Sequence, residues 1–264
     1  MENNEFLDQI IGKDLEVVEN RLWLLAHQDD EVMALHLHSN SVNNFVIYLT
    51  NGVRTGADYN AGTRINEARS AWVEIDQSAE LIFLGTEHSL LDGGLESQLD
   101  HSHLHDVISI CRDRNINEVV TLQLEGGHQD HDITSMFAEE VSRRLSLKLT
   151  VFPAYRALHK RFPVYAVMSS WIKNGVANSL PATKRIGMAK QAFLLMKCYG
   201  TQLTTWIGLG PFVILKYLVG KPTYTLIGDK QNTVQEFPKN LLYFNRKKSV
   251  RIDYESFRKK LSGW

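Results

Sequence analysis

Short apolar runs alternate with amphipathic stretches through roughly the first 150 residues of the chain. Residues 21–26, 45–50 (FVIYLT), 81–84, 118–124 and 149–152 each read as a buried strand, and Asn51-Gly52 and Gly85 supply turn signals behind two of them. Between the strands, residues 31–39, 63–76, 99–114 and 133–145 carry apolar side chains at helical spacing; Ile65, Ala68, Trp72 and Ile75 share one such face. Strands separated by helices predict βαβ units and a mostly parallel central sheet, so the fold class is α/β.

Beyond Pro153 the pattern loosens. Residues 181–199 read as a basic amphipathic helix, the chain from Thr223 onward returns to β structure, and the Arg- and Lys-rich stretch 245–260 reads as a solvated helix. The longest apolar stretch, 206–219, is interrupted by Gly208, Gly210, Pro211 and Lys216 and is too short and broken to span a bilayer as a helix. Core packing is its expected role, ahead of a lid or an acceptor surface for a lipid-like substrate. With no internal repeat and no low-complexity linker, residues 1–264 read as a single domain in which 206–264 is a variable extension.

Two polar clusters carry the chemistry. Ala26-His27-Gln28-Asp29-Asp30-Glu31 follows the first strand, and Gly126-Gly127-His128-Gln129-Asp130-His131-Asp132 follows the fourth. Both should lie at the carboxyl edge of the sheet, where open α/β sheets bind ligands. His27 ends a strand and Asp30 lies about one helical turn on, so both can turn toward one point, with His131 placed to supply a third ligand. Two His and one carboxylate leave coordination positions open, which is a catalytic arrangement. Zinc would lower the pKa of its bound water toward about 7, with Asp29 as the candidate general base. His128, three residues before His131, could stabilise an oxyanion, and Asp130 could orient its imidazole. Gly126 and Gly127 either let backbone approach closely or make the turn into the helix. The set suits metal-assisted hydrolysis of an amide. A third His-rich stretch, His101, His103 and His105, reads instead as an exposed helix start.

Composition narrows the setting. The chain is 44% hydrophobic and 22% charged, with a formal net charge of -1, and it fits a globular protein with a sizeable core. That charge gives no reason to expect nucleic acid or an anionic membrane as a partner. Cys111 and Cys198 form no CxxC spacing, and residues 1–20 lack a signal peptide's basic start and apolar core; a reducing cytoplasm is the expected compartment.

At these residues the chain resembles the LmbE-like, or PIG-L, family of zinc-dependent de-N-acetylases. The family has AHPDDE after its first strand and HPDH after a later one; here the strings are AHQDDE and HQDH. Neither Gln28 nor Gln129 removes a ligand, though loops without proline are less rigid. Weaker similarities are Leu49-Thr50-Asn51-Gly52, Arg64 with Glu67, Phe83-Leu84-Gly85, Asp92-Gly93, and Lys197 with Tyr199-Gly200-Thr201-Gln202, so that the resemblance spans about 20–205.

The resemblance implies a Rossmann-like three-layer sandwich and one zinc per chain, with iron(II) as the other candidate. It implies His27, Asp30 and His131 as metal ligands, Asp29 as base acting on a metal-bound water, and His128 with Asp130 at the oxyanion. Arg64 and Asp92, with the 156–180 region, are the expected sugar contacts. The substrate would be a small N-acetylated sugar or glycoconjugate, and the extension beyond Trp206 would set specificity or an oligomer contact. No tyrosine stands just before His128, where some relatives keep a mobile acid.

Two rival readings use the same residues. A non-haem Fe(II) oxygenase also employs two His and a carboxylate, but such enzymes are typically all-β. A non-catalytic Rossmann-like binding module gives Asp29 nothing to do. A dinucleotide site finds almost no support, because His-Gln-Asp-Asp-Glu is not glycine-rich and its carboxylates would repel a pyrophosphate.

Overall fold

A computed structural model describes residues 19–157, 165–170, 176–177, 180–227 and 254–262. The first parallel pair is β1 (Asn20–Leu25) and β2 (Asn43–Tyr48), joined through two short 3-10 turns (Asp30–Met33 and Leu35–Leu37). α1 (Ala61–Ile75), β3 (Glu80–Ile82), α2 (Leu84–Glu87), α3 (Leu95–Gln98) and α4 (His101–Asp113) follow. Then come β4 (Glu118–Leu122), α5 (Gln129–Leu145), β5 (Lys148–Phe152), β6 (Tyr155–Ala157), β7 (Tyr165–Val167) and β8 (Val176–Ala177). The remaining elements are α6 (Ala182–Cys198), α7 (Leu203–Val219), β9 (Thr223–Ile227) and α8 (Tyr254–Ser262).

The sheet runs β3-β2-β1-β4-β5-β9, with β8 at its far edge. The first five strands are parallel; β9 is antiparallel to β5, and β8 to β9. β1 and β4 are neighbours, in register from Arg21 opposite Glu118 to Leu24 opposite Thr121. Strand order reverses between them, which makes their carboxyl ends the topological switch point. The strands are apolar on both faces because both faces are covered. Leu22, Leu24 and Val119 join a core under α4 and α5, while Trp23, Leu25, Val120 and Leu122 join one under α1, α6 and α7.

Four expectations change. Residues 31–39 form 3-10 turns and no regular α-helix, since Ala34 at φ -117 interrupts them. Within the His-rich stretch, His101 and His105 are exposed, but His103 is buried and completes a capping box with Asp100. The apolar stretch 206–219 belongs to α7 and is only half core. Trp206, Val213 and Tyr217 face inward, whereas Ile207, Phe212, Leu215 and Leu218 are exposed, because a single helix on the outside of a layer can bury only one face. Part of 245–260 lies outside the described residues; from Tyr254 on it is a helix whose Phe257 and Leu261 are buried in the core.

One side chain fastens α7. The Tyr217 hydroxyl donates to Val32 O at 2.9 Å and accepts from Leu35 N–H at 3.1 Å, bridging α7 to the 3-10 turns after β1. Tyr217→Phe leaves both backbone groups buried and unpaired, and should lower stability by roughly 1–3 kcal/mol in a denaturant titration; a midpoint equal to wild type would show that the bond does not hold the helix.

Candidate active site

The loop after β1 is turned by its own carboxylate: Asp30 Oδ2 accepts from the His27 backbone N–H at 2.8 Å. That turn forces Asp29 to φ 149, a conformation costly for any residue with a Cβ and retained only where the surroundings demand it. Arg64 is such a demand. Its guanidinium is 3.4 Å from Asp29, also donates to Gln28 O, and pairs with Glu67 at 2.7 Å and Thr201 Oγ1 at 2.9 Å.

The loop after β4 is pinned by Asp132, whose Oδ1 accepts from Glu125 and Gly126 N–H at 2.9 and 3.0 Å. The two glycines divide the expected roles. Gly126, at φ 74, makes the turn, and Gly127 allows close approach, since a Cβ there would lie 1.8 Å from Tyr155 O. His128 then caps α5 by accepting the Asp130 N–H on Nδ1 at 3.2 Å. A neutral ring whose Nδ1 accepts carries its proton on Nε2, and that atom faces Asp92 Oδ1 at 3.8 Å.

The two loops converge at one end of a cavity of about 740 Å³. His131 Nε2 is 3.1 Å from Asp30 Oδ1, and His27 Nδ1 is 3.9 Å from the same oxygen. His27 Nε2 is 3.2 Å from both Asp92 Oδ1 and Asp130 Oδ2. Donor nitrogens of His27, His128 and His131 fall within 4.8 Å of one another, as do donor atoms of His27, Asp92, His128 and Asp130. Ligand atoms around a tetrahedral zinc are about 3.4 Å apart, given zinc–ligand distances near 2.1 Å. The observed spacings bracket that value, so the donor set fits a divalent cation.

Charge points the same way. Asp29, Asp30, Asp92 and Asp130 are packed together, and among the described residues only Arg54 (Nε to Asp92 Oδ2, 2.8 Å) and Arg64 touch them as fixed cations. Burial alone would raise every one of these carboxyls. His131 and His27 instead hold Asp30 well below the usual range, and His27, His128 and Arg54 do the same for Asp92. Asp29 goes the other way, pushed up to about 6 by burial that Arg64 only partly offsets. Burial, then the neighbouring His27, brings His128 down to about 3.

Each predicted site residue therefore reaches the same end of the cavity, with some partners changed. Asp130, expected to orient His128, sends its carboxylate to His27 and to the Gly93 and Leu95 N–H groups, and meets His128 through its own backbone N–H. Asp92 sits inside the cluster against His27. Arg64, only 1% exposed, stands behind Asp29. Gln28 and Gln129 replace proline rigidity with side-chain bonds, Gln28 Nε2 to Thr50 O at 3.0 Å and Gln129 Nε2 to Gly93 O. Of the 156–180 region, residues 158–164, 171–175 and 178–179 lie outside the described residues.

Sequence reading missed four participants. Arg54 and Trp206 line the cavity, and so does Tyr155, whose ring centroid is 5.6 Å from that of His131. Glu31 accepts from Tyr199 and, at 3.2 Å, from Tyr48, joining the first loop to the end of α6. The AHQDDE string itself was the available signal for Glu31; no local pattern marks the other three.

Fold and donor set together define a doubly wound α/β protein with a metal-binding candidate at its switch point. Residues 22–142 match the PIG-L family model, described as GlcNAc-PI de-N-acetylase, and this bears out the resemblance carried by the two His/Asp strings. Comparison with curated proteins gives no match. Solved structures with the same fold include a deacetylase in the teicoplanin biosynthesis pathway, as a bog complex (TM-score 0.57, 16% identity, covering 80% of this chain and 100% of that one). Another is the A40926 pseudoaglycone deacetylase Dbv21 (TM-score 0.55, 16% identity, 80% and 98% covered). A third is the zinc inhibited form of teicoplanin deacetylase Orf2 (TM-score 0.55, 15% identity, 80% and 100% covered).

One buried group beside the site yields a pH prediction. Glu125 Oε1 accepts from Ala154 and Tyr155 N–H at 2.8 and 2.7 Å, yet burial outweighs both bonds and pushes the carboxyl up to about 8. Between its unfolded value near 4.5 and about 8 the folded state holds a proton that the unfolded chain has lost, so stability falls as pH rises through that window. Glu31, also raised to about 8 by burial, adds a term of the same sign. Glu125→Gln keeps the accepting oxygen and removes one titration, so its Tm should fall less between about pH 5 and pH 8 than that of wild type. Identical pH profiles would assign the effect to another group.

Proposed function

We propose that this protein is a metal-dependent amide hydrolase that removes the N-acetyl group from an N-acetylated sugar or glycoconjugate, releasing acetate and a free amine. The observation that carries the reading is Asp29: a strained, half-buried carboxylate, raised to about 6, beside a cluster of three imidazoles and three more carboxylates at the end of a large cavity. The PIG-L match over 22–142 and the deacetylase neighbours support the reaction class. His27, Asp30 and His131 would hold the metal. Zinc is the first candidate, given the donor set; iron(II) suits the same donors.

A bound divalent ion would polarise the acetamide carbonyl and lower the pKa of water at the site toward about 7. The remaining steps fall to side chains. Asp29, poised near neutrality and held by Arg64, takes the proton of the attacking water. His128 directs Nε2–H into the cavity, where it can donate to the oxygen that gains charge as the carbonyl becomes tetrahedral. Asp130 and Asp92 hold the His27 ring. When the C–N bond breaks, the proton held by Asp29 is available to the departing amine. Arg54, Thr55, Gln202 and Thr204 give the cavity polar walls suited to sugar hydroxyls.

Metal content and acetate release, measured together on a panel of N-acetylated sugars, test this. About one metal ion per chain with acetate released is the expected result. Ala at His27, Asp30 or His131 should cut metal content sharply, and full occupancy in all three variants would overturn the ligand assignment. Asp29→Asn should retain metal while the rate falls by roughly 10²–10⁴-fold; an unchanged rate would remove Asp29 from the chemistry.

A further inference from the structure

Nine of the eleven exposed large apolar side chains among the described residues lie between Ile186 and Val219, on α6 and α7. On α7 they form a stripe: Leu203 is 59% exposed, Ile207 69% and Leu215 55%, at i, i+4 and i+12, with Leu218 one turn further. Pro211 continues the stripe between Ile207 and Leu215. α6 adds Ile186 at 61% and Phe193 at 50%. Soluble monomers rarely leave so many large apolar groups together in water.

Residues 200–219 are apolar enough, at a mean hydropathy of 1.2, to resemble a membrane span. They cannot cross a bilayer in this fold. Trp206, Val213 and Tyr217 are packed into the core, and the Tyr217 hydroxyl is bonded to Val32 and Leu35. A helix with one face docked and the other bare can lie on a membrane but cannot thread it.

Charge selects the occupant. No Asp or Glu occurs between Glu140 and Asp229, while thirteen Lys and Arg do. Lys184, Lys190, Lys197 and Lys221 are exposed on or beside the two helices. The net charge of -1 thus conceals a segregated distribution. Exposed apolar side chains rimmed by cations match an anionic lipid surface, where the rim meets headgroups and the apolar stripe enters the interface. A second copy of the chain fits poorly, because it would bring two cationic rims together.

We propose that α6 and α7 form a docking surface for an anionic lipid bilayer, with the active-site cavity opening beside it. Continuity supports the second half: Thr204, Thr205, Gly208 and Leu209, on the same helix as the stripe, line the cavity. This inference does not depend on the reaction assigned above.

Co-sedimentation of the full chain with vesicles tests it, using phosphatidylcholine alone or mixed with phosphatidylglycerol. The protein should sediment with the anionic vesicles, and added salt should weaken that binding. The double variant I207D/L215D, at two exposed positions, should lose binding by roughly tenfold or more while keeping its circular dichroism and Tm. K190E/K197E should lose the preference for phosphatidylglycerol by a similar roughly tenfold factor. No binding by wild type, binding unaffected by either double variant, or a wild-type dimer that I207D/L215D splits would each overturn the proposal. Asp29→Asn should bind vesicles like wild type, so a failed activity assay and a failed docking assay are read separately.

Discussion

Seven ionisable side chains packed into one small volume set the terms for the rest of this structure. His27, His128, His131, Asp29, Asp30, Asp92 and Asp130 come together where strand order reverses, and no arrangement of four such carboxylates is tolerable without cations. Arg64 is the cation with the widest structural consequences. To stand beside Asp29 it must be buried, and a buried guanidinium must have its donors met. Glu67, Thr201 and the Gln28 carbonyl take its Nη1 and Nη2 donors, which ties α1 and the 3-10 turn Gly200–Gln202 to the first loop. Glu31 adds a second tie through Tyr199 and Tyr48. The helical layer on this side of the sheet is therefore fastened to the active-site loop by polar bonds as well as by apolar packing. With Arg54 and Arg64 as its fixed counter-charges among the described residues, the cluster still has a surplus of carboxylate, which is the physical condition for binding a divalent ion.

The two motif strings were legible because each sits directly behind a strand, and the strand pattern is the strongest periodic feature of the chain. Five parallel strands in the order 3-2-1-4-5 follow from βαβ units in sequence, and that order brings residues 27–31 and 126–132 together across about a hundred positions. What stayed illegible is what depends on side-chain direction. Nothing local says that the carboxylate of Asp130 turns to His27 and to the 93–95 backbone, or that Arg54 reaches Asp92. The weak similarities at Arg64, Glu67 and Tyr199-Gly200-Thr201-Gln202 gain meaning only in three dimensions, where they form one network. The two Gln-for-Pro replacements are instructive in the same way. Sequence alone suggests looser loops, whereas each amide reaches across to a neighbouring carbonyl and closes its loop by another route.

The apolar stretch in the last third shows a different limit. A helix rich in Ile, Leu, Phe and Val reads as core because composition does not reveal how many faces a neighbour will cover. In the structure α6, β7 and the turns after β1 meet one face of α7, and Tyr217 fixes which one. Net charge misleads for the same reason. It sums over a chain whose carboxylates cluster in the first 140 residues, at the site and around the sheet, while α6 and α7 carry cations alone. An average near neutrality is then compatible with a strongly polarised molecule.

That polarity bears on how a substrate arrives. Anionic donors line part of the cavity, where a metal ion would neutralise them, and another part of its wall comes from α7, whose outer surface is apolar and flanked by lysine. A small, freely diffusing sugar has no need of such a surface, whose exposure to water costs free energy wherever it is not covered. Tyr217 and Trp206 hold the inner face rigidly against the loop carrying Asp29 and Asp30, so α7 is no loosely hinged lid. It is a fixed wall with one side lining the cavity and the other side apolar, and contact at the apolar side would set the orientation of the cavity relative to whatever surface it meets.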